Sequence, residues 1–243
     1  MLQASEPTRQ ADIRQRLRPL ADLPGSLAQR VYLALKEAIL FLHFRPGEIL
    51  RKPEICAELG VSRSPVSEAL ARLAAEHLVD VVPQAGTFVA RLSMAEVREG
   101  AFLREALELA AVERVAERVT EDQLVQLRRN LRLQAALIED HDFAGFYATD
   151  AAMHELILSF TGFRRVPVLA ETAWVHVNRA RQLILPAPGR MQATLAEHRA
   201  IVAALQAHDP FAARAATRLH LSKLLTALEP LARARPDLFS PVG

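Results

Sequence analysis

The stretch from Leu59 to Leu73, Leu-Gly-Val-Ser-Arg-Ser-Pro-Val-Ser-Glu-Ala-Leu-Ala-Arg-Leu, admits few folds. Gly60 stands where a tight turn between two helices requires positive φ. Val61 is apolar and fits the space between those helices. Ser62-Arg63-Ser64 supplies an N-cap, a long cation and a hydroxyl, and Pro65 suits a first helical turn. Val66, Ala69, Leu70 and Leu73 follow at helical spacing and face a core. Ser62, Arg63, Ser64 and Ser67 are left outward, which is how a recognition helix enters a major groove.

The flanks complete that motif. Residues 1–24 are polar, with Pro7, Pro19, Pro24 and scattered arginines, and are expected to form a flexible arm with a short helical turn around Ile13–Leu20. Residues 25–92 form the expected DNA-binding domain. Ser26 caps a helix to about Leu42, Arg45-Pro46-Gly47-Glu48 ends it, and further helices cover Pro53–Leu59 and Pro65–Glu76. The period then changes. Leu78–Val82 and Thr87–Ala90 predict two strands around Pro83-Gln84-Ala85-Gly86, the wing of a winged helix. Gln84 and Gly86 at its turn are placed along a phosphate backbone or in the minor groove.

Every later segment has a helical pattern, so residues 93–233 predict an all-α antiparallel bundle and the chain is mainly α. Ser93 and Thr120 open helices with Glu96 and Gln123 in capping-box position. Further helices are expected over Phe143–Phe160, Val166–Leu185, Met191–Ala207 and Pro210–Leu231. The Pro-rich residues 234–243 predict a frayed tail.

Composition adds bounds. Apolar residues at 51% supply a core, and 5% aromatics with nine glycines favour helices. The net charge of +2 is small, but residues 1–92 hold 12 Lys/Arg against 10 Asp/Glu while the remainder holds 18 of each. The positive excess lies in the half that carries the helix-turn-helix. The single cysteine, Cys56, excludes an intramolecular disulfide and suits a reducing compartment; its neighbours place it in a helix core. No run of about 18 apolar residues occurs and the first residues lack a signal peptide's apolar region, so a soluble, cytoplasmic protein without a membrane partner is expected.

One constellation suggests a cofactor. Asp150 and His154, four apart, share a helix face, with His198 on the next-to-last helix and His220 on the last. An Asp/His₃ set converging inside a bundle suits divalent zinc, nickel, iron or manganese. By spacing alone, hydrogen-bonded structural residues explain the same pattern.

The chain resembles the GntR superfamily of bacterial transcription regulators. The resemblance rests on Phe44-Arg45-Pro46-Gly47-Glu48-Ile49-Leu50, the Leu59–Leu73 block and Ala85-Gly86-Thr87-Phe88-Val89. The second half looks like the FCD ligand-binding domain of the FadR branch, through Arg104-Glu105-Ala106-Leu107-Glu108, Asp150-Ala151-Ala152-Met153-His154, Glu197-His198-Arg199-Ala200-Ile201 and His220-Leu221. The resemblance implies that Asp150, His154, His198 and His220 are metal ligands, and that a homodimer binds a short palindromic double-stranded DNA operator, as a repressor.

Ser67 departs from the family, which usually has a DNA-contacting arginine there. Reading then rests on Arg63, Ser62, Ser64 and the basic pair Arg51-Lys52. Arg104 either pairs with Glu108 along its helix or, as the resemblance implies, points into a pocket and neutralises a small carboxylate metabolite. Asn178, Arg179 and Arg181 are further effector candidates, of which helical geometry turns at least one to solvent. Two alternatives stand beside this reading: a purely structural metal with no effector, and a helical metalloenzyme, although no catalytic base, nucleophile or phosphate loop stands out.

Overall fold

The computed structural model describes residues 16–241. The chain divides between Arg91 and Leu92 into two compact units.

In the first unit, α1 (Leu27–Leu40) begins at Ser26, whose hydroxyl accepts from the Gln29 N–H. It buries Val31, Leu35, Ala38 and Ile39 and packs on α3. Helix α2 (Lys52–Leu59) ends at Gly60 with φ 63°, the left-handed conformation its place in the turn demands. Helix α3 (Arg63–Ala75) starts two residues before Pro65 and buries Val66, Ala69, Leu70 and Leu73. Strands β1 (Val79–Val82) and β2 (Gly86–Val89) pair antiparallel from Val79↔Val89 to Val82↔Gly86. Their turn closes through Ala85 N–H to Val82 O at 3.1 Å. Ile49 bridges Phe88, so the segment before α2 extends the hairpin.

Of the flexible arm expected over residues 1–24, residues 1–15 lie outside the described residues. The rest is anchored rather than free. Arg16 Nη2 lies 2.8 Å from both carboxylate oxygens of Glu48, its guanidinium stacks 4.0 Å from the Phe44 ring centroid, and Leu17 and Leu23 are buried. Of the helical turn expected around Ile13–Leu20, residues 13–15 lie outside the described residues and Arg16 is helical; a separate 3-10 turn spans Leu20–Asp22. Cys56 is only half-buried, because Ile55 takes the core position.

The second unit is helical: α4 (Met94–Ala116), α5 (Glu121–Glu139), α6 (Phe143–Phe160), α7 (Arg165–Ala173), α8 (Val175–Ile184), α9 (Arg190–Gln206) and α10 (Pro210–Ala234). Thr120 and Gln123 form the expected capping box; at Ser93 the side chain accepts from Glu96 N–H. One apolar cluster joins Val112, Leu127, Met153, Ile157, Ile201 and Leu205. Another joins Val97, Leu158, Trp174, Val177, Leu224 and Phe239.

Two expectations are corrected here. The single helix expected over Val166–Leu185 breaks at Trp174 (φ −98°, ψ 4°). The break lies against Gly100 of α4, where a Cβ would stand 3.0 Å from the Ala173 carbonyl oxygen and 2.9 Å from Val177. The tail from 234 is not frayed over its described part. Pro236–Leu238 forms a 3-10 turn, Phe239 is buried, and Leu92 hydrogen-bonds Leu238 O (3.0 Å) and Ser240 N–H (2.9 Å). Phe239 is apolar enough to dock the segment, and the backbone bonds then fix it.

Candidate metal centre and nucleic-acid interface

Helix α3 presents Ser62, Arg63, Ser64 and Ser67 to solvent, while its apolar stripe faces α1. Ser62 occupies the N-cap, yet its hydroxyl makes no capping bond. It therefore joins the open backbone N–H groups of the first turn as a ready partner for a phosphate oxygen. Arg51 and Lys52 are exposed at the start of α2, and Arg51 lies 3.6 Å from Glu54. Gln84 is exposed at the wing tip with φ 62°. Gly86 is half-buried with φ 132°, and a Cβ there would meet Ile49 at 3.3 Å, so its place is set by the hairpin.

In the helical unit, α6 supplies Asp150 and His154, α9 supplies His198 and α10 supplies His220. One ligand atom from each lies within 4.8 Å of the others, and all four side chains are buried. Asp150 Oδ1 is 3.2 Å from His198 Nε2 and 3.9 Å from His154 Nε2. Each imidazole is held from behind: His154 Nδ1 by Glu108 (2.8 Å), His198 Nδ1 by Gln134 Oε1 (2.9 Å) and His220 Nδ1 by Glu197 (2.7 Å). Those oxygens only accept, so Nδ1 donates and the Nε2 lone pair remains for the centre. Burial holds the pKa of His154 below the ordinary imidazole value and those of His198 and His220 well below it, which keeps the rings neutral, the ligating form.

The donor set fits a divalent cation. Asp150 Oδ1 and the Nε2 atoms of His154 and His198 are buried without a hydrogen-bond partner. Three such orphaned acceptors are costly together unless a cation satisfies them.

Glu108, Gln134 and Glu197 escaped sequence reasoning. Glu197 adjoins His198 in sequence but serves His220, a pairing only the packing of α9 on α10 creates. A further layer surrounds them. Arg104 Nε donates to Glu108 (2.6 Å), Arg190 donates two hydrogen bonds to Glu197 (3.1 and 2.9 Å), and Arg181 pairs with Asp150. Burial would raise the Glu108 carboxyl, but Arg104 and His154 outweigh it and hold it far below the usual carboxylate range.

Arg104 pairs with Glu108 along its helix and also borders a cavity. It is buried against Glu108, while its Nη2 has no hydrogen-bond partner and it lines a cavity of about 30 Å³ with Asp150, Arg181, Arg190, Thr194 and His220. Arg179 is fully buried and does not line that cavity. Asn178 Oδ1 instead accepts from Arg181 Nη1 at 3.3 Å. The expectation that one of Asn178, Arg179 and Arg181 faces solvent is wrong: all three are at least half-buried, because α8 is packed by α4, α7 and α10.

A winged helix-turn-helix followed by a separate helical domain is the build of a DNA-binding transcription regulator. Residues 27–89 match the bacterial regulatory proteins of the gntR family and residues 99–223 match the FCD domain. The chain belongs to the GntR family, in its FadR-like branch with an FCD domain. It is 35% identical over 210 residues to an HTH-type transcriptional regulator in an unstable DNA locus of Streptomyces ambofaciens, covering 86% of this chain and 88% of that one. It is 32% identical to the transcriptional repressor RspR of Escherichia coli K12, covering 87% and 93%. A GntR-type regulator of Rhodococcus sp. RHA1 superposes with a TM-score of 0.71 at 26% identity over 84% of this chain and 99% of that one. Escherichia coli McbR/YncC shares the fold, with a TM-score of 0.74 at 23% identity over 86% and 99%.

Proposed function

We propose that the protein is a cytoplasmic, ligand-responsive repressor that binds a short palindromic operator as a homodimer. Its domains are a DNA-binding part over residues 25–92 and an effector and metal-binding part over residues 93–233. Arg63 reads base edges, while Ser62, Ser64, Ser67, Arg51 and Lys52 contact the backbone or adjacent bases. Gln84 and Gly86 bring the wing to the DNA. The similarity to RspR supports the repressor role.

Asp150, His154, His198 and His220 would hold a divalent metal, which would supply positive charge to an anionic effector. Arg104 neutralises the effector carboxylate, and Asn178 orients Arg181 beside it. The observation that carries this reading is the convergence of three imidazoles, each fixed through Nδ1, on buried acceptors without partners. Effector binding shifts the helices that carry these groups and biases the dimer away from operator spacing, a coupling of about 1–3 kcal/mol.

Elemental mass spectrometry of the tag-free protein beside His198→Ala tests the metal. About one metal per chain in the wild type and far less in the variant is expected; equal, negligible content after reconstitution overturns the assignment. One observation favours a second reading, a structural metal without an effector: the cavity beside the centre has room for about one or two waters. Release of bound operator by small carboxylates separates the two readings.

A further inference from the structure

The small cavity is not the only space at the metal cluster. On the other side of Arg181 and Trp174 runs a groove of about 690 Å³ between α6, α7 and α8. Arg181 lines both spaces, and His154 forms part of the groove wall. Arg104, on the cavity side, stacks 5.1 Å from the Trp174 ring centroid. Arg181 thus stands between the two spaces, with Trp174 beside it on the groove side.

The two ends differ in charge. The inner space is lined by Arg104, Arg181 and Arg190 against the single carboxylate of Asp150, whereas the groove carries the carboxylates of Glu155 and Glu171 beside apolar Leu156, Pro167 and Val168. Trp174 lines the groove while 5% exposed, and its indole N–H is buried without a hydrogen-bond partner. A buried donor in that state is free to bond an acceptor from water or a bound molecule.

We propose that this groove is the outer half of the effector site and that the effector is a zwitterion. Its carboxylate enters towards the arginines, its short apolar stem lies along Val168 and Pro167, and its ammonium group meets Glu171 and Glu155. Turning the Arg181 side chain joins the two spaces and gives a site of ordinary ligand size, which the inner cavity alone lacks. The inference rests on the carboxylate-binding reading above and adds the chemical class of the ligand.

Matched pairs of straight-chain acids test it: ω-amino carboxylates against the unsubstituted carboxylates of four to eight carbons, titrated calorimetrically into zinc-loaded protein. At one or more chain lengths the amino acid is expected to bind at least tenfold more tightly than its partner. Glu171→Gln, on an exposed residue outside the metal set, is expected to abolish that preference while leaving zinc content and carboxylate binding unchanged. Glu171→Lys should transfer the preference to the dicarboxylate of the same length. Equal binding of amino and plain acids at every length overturns the zwitterion proposal and leaves the carboxylate pocket standing. No binding of either series overturns both.

Discussion

His220 donates its Nδ1 proton to Glu197, 2.7 Å away, although the two residues sit on different helices. Glu197 is itself clamped by both terminal nitrogens of Arg190. The orientation of His220 therefore depends on a chain of three side chains, of which only the last faces the proposed metal. Replacing Glu197 with Gln keeps the shape but removes the charge that makes the imidazole a strong donor. Metal affinity is expected to fall about 10–100-fold, as for other outer partners of ligating histidines. Competition with a chromophoric chelator measures it, and an unchanged affinity would show that Glu197 does not position His220.

Recognition of DNA is expected to depend on the exposed face of α3. Arg63→Ala should cost about 1–3 kcal/mol of discrimination at one operator position, while Lys52→Ala should weaken binding to all sequences and lower the salt slope by about 1. Ser67 faces solvent on the same helix. Ser67→Arg should add a preference for guanine at one half-site position. Selection from a randomised DNA pool, run on all three variants, checks these outcomes.

Gly100→Ala sets two effects against each other. Alanine improves helix propensity by about 1 kcal/mol. The new Cβ, however, would stand 2.9 Å from Val177 Cγ2 and 3.0 Å from the Ala173 carbonyl oxygen, neither of which is the end of a flexible chain. Overpacking of that kind costs about 1–3 kcal/mol, so the expected sign is net destabilisation. Chemical denaturation would show it as a lower midpoint with an unchanged slope.

The docked tail makes a separate prediction. Phe239 is 5% exposed and packs in the cluster of Trp174, Leu224 and Leu228. Phe239→Ala should destabilise the helical unit by about 3 kcal/mol, at the lower end for a buried aromatic because a terminal segment can adjust. It should also raise amide exchange at Leu92, whose N–H is bonded to Leu238 O. A stability and exchange profile matching wild type would mean the tail contributes nothing.

Much of the first unit was legible because its signals are local. Gly60 marks a turn by its own conformational freedom, Ser26 caps a helix within three residues of itself, and Val66, Ala69, Leu70 and Leu73 reveal their shared face by spacing. The break at Trp174 was not legible, because residues 166–185 keep a helical pattern throughout and the helix that packs against the break, at Gly100, is distant in sequence. The anchoring of Arg16 was hidden for the same reason: its partner Glu48 lies 32 residues away.

The candidate site divides along the same line. Sequence alone determined that Asp150 and His154 share a helix face, since a four-residue separation is one turn. The sequence also offered His198 and His220 on the last two helices, and family likeness implied that all four are metal ligands. Only the tertiary structure decided that all four meet within 4.8 Å, that Glu108, Gln134 and Glu197 hold the rings, and that Arg104, Arg181 and Arg190 crowd the same small space. Helical periodicity states which way a residue faces on its own helix. What it faces is set by how α4, α6, α9 and α10 pack, and that packing is fixed by the apolar residues around the site rather than by the polar residues within it.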